Sequence, residues 1–243
     1  MAERFLGVPV DPVDMDEALA AATAAVEGRR PPLLVVAVNP EKVMKAQRDG
    51  ELRDFIEHCG LRIADGVGIL LASRLRRGAV RTRVTGIDLM LAIAQAAARQ
   101  GWPVFLLGAR EEVNRAAAEE LGRRFPGLRI AGRRHGYFPP AAAREVAEAV
   151  AASGAKVLFV ALGSPAQERF LLAFGDQTQT RVRMGVGGSY DVLAGKVARA
   201  PRLMRRLGLE WLYRLAREPR RIGRMLALPV FVLRCLGERA RPG

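Results

Sequence analysis

Most of the residues in this chain that could do chemistry stand directly after short apolar runs. Asp65 follows Leu61–Ala64 in the stretch Ala64-Asp65-Gly66-Val67-Gly68. A carboxylate on a glycine-flexible turn can project into a cleft and act as a general base. Taken alone, an Asp-Gly pair is more often a plain turn or cap. Asn39 follows the run Leu33–Val38 and precedes Pro40, so it either hydrogen-bonds a polar ligand or caps a helix. Arg83-Val84-Thr85-Gly86-Ile87-Asp88 adds a hydroxyl and a second carboxylate, although Asp88 also suits the positive end of a helix dipole.

Three further loops repeat the arrangement. Gly108-Ala109-Arg110 is a turn whose backbone N–H groups could meet a diphosphate, but it lacks a full dinucleotide or ATP-binding glycine pattern. Gly163-Ser164-Pro165-Ala166-Gln167-Glu168 brings an amide and a carboxylate to a helix start. Gly185-Val186-Gly187-Gly188-Ser189-Tyr190-Asp191 permits close approach of backbone to a ligand.

The elements that must position these loops alternate. Strands are expected at Leu33–Val38, Leu61–Ala64, Val104–Leu107, Leu128–Ala131, Val157–Leu162 and Val182–Val186. Helices are expected from Pro40, from Val67, and over Ile87–Gln100, Glu112–Phe125, Ala141–Ala152 and Gln167–Phe174. Strands without polar alternation, separated by helices, predict an α/β fold: a Rossmann-like, mostly parallel sheet covered on both faces. Such sheets bind ligands beyond the carboxyl ends of their strands, where the polar loops fall.

Half of the 243 residues are hydrophobic, enough for a sizeable core. No apolar window is long enough to span a membrane, and the N-terminus does not read as a signal peptide. Two distant cysteines, Cys59 and Cys235, and two histidines, His58 and His135, show no metal-ligand spacing, so idle thiols are expected and no metal.

Charge is the other signal. The net charge is +14, and from Lys196 to Gly243 thirteen Lys/Arg face three Glu. Charge at this density implies a polyanionic partner. The texture also changes after Gly195, dividing a core, 1–195, from a basic amphipathic helical appendage, 196–243. Lipid docking, a nucleic-acid arm and plain packing compete as readings of the appendage. The aliphatic run Met225–Leu233 and the scarcity of aromatics argue against nucleic acid. In the lipid reading, Trp211, Tyr213, Leu226, Leu228, Phe231 and Val232 enter the acyl boundary.

Taken together, NPEKV, ADGVGILLASR, RVTGIDL, FLLGA, GYF, ALGSPAQE, GVGGSYDVLAGKVARAP and GLEWLYRLAREPRR resemble the WecG/TagA/CpsF family of bacterial glycosyltransferases. They run in the family order from about Leu33 to Arg224. The resemblance implies inverting, metal-independent transfer of a sugar, typically N-acetylmannosamine, from a UDP donor to an undecaprenyl-diphosphate-linked sugar. The product would feed teichoic acid or another envelope polysaccharide. It implies Asp65 as base, and Asn39, Thr85, Asp88, Gly108, Ala109, Gly136, Tyr137, Gly163, Pro165, Gln167, Glu168 and Gly187 around the donor. Arg214, Arg221 and Arg224 match the family's C-terminal arginines, suggested to reach the acceptor diphosphate or the leaving UDP.

The partners implied are therefore a UDP-sugar, a polyprenyl-diphosphate acceptor and an anionic membrane surface on the cytoplasmic side. No cofactor and no nucleic acid are expected, and self-association is left open. One departure stands out: Ala37 occupies a position where the family commonly has Thr. Transfer of another hexose, or a non-catalytic basic adaptor, are the alternatives.

Overall fold

Short runs such as LLVVAV and VLFVA can be satisfied only when both faces of the strand are buried, and both are. In the computed structural model, which describes residues 1–201, 203–204, 212–213 and 227–238, six parallel strands form one sheet in the order β4-β3-β8-β7-β5-β6. They are β3 (Leu33–Val38), β4 (Leu61–Ala64), β5 (Val104–Gly108), β6 (Ile130–Arg134), β7 (Val157–Ala161) and β8 (Val182–Gly185).

Alternate residues of each strand serve different cores. Val36, Val38, Leu158 and Val160 pack on one face with α2 (Pro40–Ala46), α3 (Gly50–His58), α4 (Val67–Leu75) and α7 (Ala143–Ala152). Val35, Val157, Phe159 and Met184 pack on the other with α1 (Met15–Val26), α5 (Gly86–Gln100) and α6 (Glu111–Arg124).

Most elements fall within two residues of their sequence expectation. The exception is β6, Ile130–Arg134, which ends three residues beyond the expected Ala131. It is an edge strand and only half-buried, so it lacks the continuous apolar signal of the interior strands. Helix α1 was not anticipated. Its signal was there: Asp14 and Glu17 form a capping box, and Ala18, Ala22 and Ala25 bury a narrow face.

The two ends of the described chain meet. A hairpin of β1 (Glu3–Phe5) and β2 (Val8–Val10) packs beside α10 (Ala227–Glu238), with Phe5 and Phe231 ring centroids 6.1 Å apart. Helix α10 also lies against α2 and α4. Arg76 sits over the Phe5 ring, and the Leu6 N–H donates to Glu238.

This corrects part of the lipid reading. Phe231 is buried among core side chains, Val232 packs against the same cluster, and Leu228 turns towards the strand-end cleft. Val230 and Leu233 are the exposed apolar residues of this helix. Tyr213 is half-buried, whereas Trp211 and Leu226 lie outside the described residues. Among the described residues no helix is long and apolar enough to cross a membrane.

Candidate active site

Parallel register sets the strand ends level. Val38 pairs with Ala64, so Asn39 and Asp65 leave neighbouring strands side by side, tied by the Asp65 N–H to the Val38 carbonyl at 2.8 Å. Val160 pairs with Gly185 and Gly108 with Ala161, which lines up the remaining loops. The result is a cleft of about 520 Å³ across β4, β3 and β8 that contains Asp65, Asn39, Thr85, Gly163, Gln167 and Gly187. A second lobe of about 550 Å³ shares Gly163, Gly187, Gly188 and Asp191 with it and adds Ala109, Arg110, Gly136, Tyr137 and Lys196.

Local chemistry explains how each side chain is held. Gly66, directly after Asp65, has φ +97° and ψ 145°, a conformation open essentially to glycine. That turn aims the Asp65 segment into the cleft while α4 begins. Asn39 is the N-cap of α2, accepting the Lys42 N–H at 2.8 Å. One lone pair of its side-chain oxygen is thereby used, leaving the second and the NH2 group. The capping reading of Asn39 is thus observed, and the same side chain lines the cleft.

Gln167, at the start of α8 (Ala166–Phe174), is buried, and its Oε1 accepts the Gly187 N–H at 3.2 Å. A Cβ on Gly185 would stand 2.7 Å from Gln167 Nε2, so glycine is required there for the amide to lie flat against β8. Below the same glycine turn, α9 (Ser189–Leu193) is fixed by Tyr190, whose hydroxyl donates to the Phe159 carbonyl at 3.0 Å. Burial drives the Tyr190 phenol well above its ordinary range.

Four expected site residues stand beside the cleft rather than in its lining. Glu168 is buried and paired with Lys42 Nζ at 2.7 Å. Asp88 accepts the Thr85 hydroxyl and an Arg199 N–H. Gly108 has its Cα 3.0 Å from the Cβ position of Gly136, serving close backbone packing, and Pro165 stands at the entry to α8. Arg214, Arg221 and Arg224 lie outside the described residues.

Lys42 and Lys196, which sequence reasoning did not single out, also line the two lobes, as do Arg83, Arg110 and Asp191, which stand in the candidate loops but were given no role. Lys42, Arg83, Asp191 and Lys196 stand inside motifs quoted above and Arg110 directly follows one, so motif membership was the usable signal. Lys196 reaches Glu112 at 3.2 Å. The Glu112 carboxylate, hydrogen-bonded by its own backbone N–H and then by Lys196, titrates below its usual range. Both cysteines are free thiols raised by burial, Cys235 to about 11. Among the described residues no three His, Cys, Asp or Glu side chains gather as a metal site would need.

Loops at the carboxyl ends of the strands, joined by the loop that enters α5, bring a carboxylate, amides, a hydroxyl and several cations to one edge of a Rossmann-like α/β sheet. Residues 3–243 match the Glycosyl transferase WecG/TagA/CpsF family, and the chain belongs to it. It is a glycosyltransferase of cell-envelope polysaccharide synthesis. The match takes in the N-terminal hairpin and the C-terminal end, both outside the motifs recognised in the sequence.

Proposed function

We propose that this glycosyltransferase moves a hexose, N-acetylmannosamine in the first instance, from a UDP donor to a sugar carried on undecaprenyl diphosphate. The observation that carries the reading is the placement of Asp65 in one continuous cleft with Asn39, Thr85 and Gln167, beside a second lobe lined by Arg110, Tyr137 and Lys196. The second lobe has the room and the cations for a nucleotide diphosphate, and Tyr137, 70% exposed at its edge, offers a ring face to a base.

In the reaction, Asp65 takes the proton of the acceptor hydroxyl as that oxygen bonds to the donor C1. The C1–O bond to the diphosphate breaks on the opposite face, its electron pair leaves with UDP, and the anomeric centre inverts. Negative charge then grows on the departing diphosphate. Arg110 and Lys196 line the second lobe and Arg83 the adjoining main lobe, and Arg214, Arg221 and Arg224 are the further guanidinium groups proposed to close over the diphosphate.

The basic appendage holds the enzyme at the cytoplasmic face of an anionic membrane, where the acceptor resides. Arginine supplies the attraction, and exposed Val230 and Leu233 supply apolar contact.

Asp65→Asn tests the base. Transfer to a short-chain polyprenyl-diphosphate acceptor should fall by about 10²-fold or more, with UDP affinity by calorimetry unchanged. Near-full turnover in that variant overturns the assignment.

A further inference from the structure

Of the two residues expected together in the donor site, Thr85 lines the cleft and Asp88 does not. The geometry between them fixes what Thr85 can do. Its hydroxyl donates to Asp88 Oδ2 at 2.6 Å, and its Oγ1 accepts the Asp88 backbone N–H at 3.2 Å. A hydroxyl has one hydrogen and two lone pairs. The hydrogen and one lone pair are committed to Asp88, so towards the cleft Thr85 retains only an acceptor.

Asp88 is itself held. Arg199 Nη2 donates to Asp88 Oδ1 at 2.6 Å, with the arginine side chain only 19% exposed. Around it, Ala200 is buried, and the N–H groups of Lys196 and Val197 both donate to the Asp191 carbonyl. Asp191 and Val197 line the cleft. Both Asp88 oxygens are thus acceptors, Oδ1 for Arg199 and Oδ2 for the Thr85 hydroxyl.

We propose that Asp88, held by Arg199, is a positioning residue that makes Thr85 an acceptor-only wall of the cleft, selecting a sugar hydroxyl or amide N–H and disfavouring a phosphate oxygen. This rests on the reading of the cleft as a nucleotide-sugar site, and it adds which part of the substrate meets Thr85. It also links the start of the C-terminal segment to the cleft wall through three side chains.

The test uses the full-length protein, UDP-N-acetylmannosamine and its monodeoxy and N-deacetylated analogues, and a short-chain polyprenyl-diphosphate acceptor with matching deoxy forms. One missing group should cost the wild type about tenfold in kcat/KM, the worth of one hydrogen bond. The same omission should cost Thr85→Val and Asp88→Asn less than about twofold, because the interaction is already gone. Thr85→Ser and Arg199→Lys should keep the wild-type sensitivity, and Arg199→Met should lose it.

UDP affinity should stay within about twofold of wild type in every variant, since UDP lacks the sugar. Asp88→Asn with wild-type turnover and wild-type analogue sensitivity sinks the proposal, as does a uniform loss across all analogues. Failure of the wild type to bind UDP would instead remove the nucleotide-sugar reading beneath it. If Asp88→Asn does not fold, the Thr85→Val and Thr85→Ser pair still decides the matter.

Discussion

Lys42 Nζ lies 2.7 Å from Glu168 Oε1, joining α2 to α8 across 126 residues of sequence. The pair is nearly dry, with side-chain exposures of 12% and 3%, and the second Glu168 oxygen is buried with no hydrogen-bond partner among the described residues. Gln167 Nε2 donates to the same Glu168 Oε1 at 3.2 Å. An ion pair buried this deeply gains little over apolar packing, but removing one partner strands the other charge. Its value here is positional, because it sets the Gln167 amide and one wall of the cleft together.

Glu168→Ala should therefore lower stability by about 3–5 kcal/mol in urea denaturation, since the Lys42 ammonium is left in a buried site without its counter-charge. The double variant Lys42→Met/Glu168→Leu should recover much of that loss while transfer stays low. Recovery of both stability and transfer would show that the pair has no positioning role.

Gly66→Ala should cost about 1–3 kcal/mol because the turn holds φ at +97°. Relief of that strain would rotate the neighbouring Asp65 segment, so turnover should fall further than UDP affinity. A variant with wild-type kcat would show that the turn does not set the Asp65 direction.

Two neighbours on α10 should respond in opposite ways. Phe231 is fully buried against Phe5, and Phe231→Ala should cost about 3–5 kcal/mol in unfolding free energy. Leu233 is 69% exposed, and Leu233→Ser should change stability by less than about 0.5 kcal/mol. Leu233→Ser should nonetheless weaken cosedimentation with anionic phospholipid vesicles. Unchanged vesicle binding after Val230→Ser/Leu233→Ser would remove this helix from the docking surface.

Ala37 lies in the cleft wall, its Cβ 3.3 Å from the Cβ position of Gly86. Ala37→Thr adds the hydroxyl that the family commonly has there. A screen of UDP-sugars should show a changed donor ranking, with N-acetylated donors gaining relative to simple hexoses. An unchanged ranking would mean that this position does not read the sugar.

The strands and their loops were legible because their signals are local. Leu33–Val38 and Leu61–Ala64 match β3 and β4 at both ends, since a fully buried strand writes a continuous apolar run and a polar residue ends it. Asp65, Asn39 and Gln167 followed from that reading, in the segments after β4, β3 and β7, whereas Thr85 caps α5 in the connection from α4 and was found through its own motif. The hairpin Glu3–Val10 escaped it: each strand has three residues, too short for any periodicity, and its burial depends on α10 arriving from the far end of the chain.

The sequence by itself determined the α/β class, the level of the ligand site on the sheet and, through its motifs, the family. All three are carried by residue patterns a few positions long, or by motif order along the chain. Tertiary structure alone decided which polar residues face the cleft and which are spent on one another. Glu168 and Asp88 looked like ligand groups until Lys42 and Arg199 were found beside them. Those partners stand 126 and 111 residues away, and no local spacing can tell a carboxylate that it will be neutralised there.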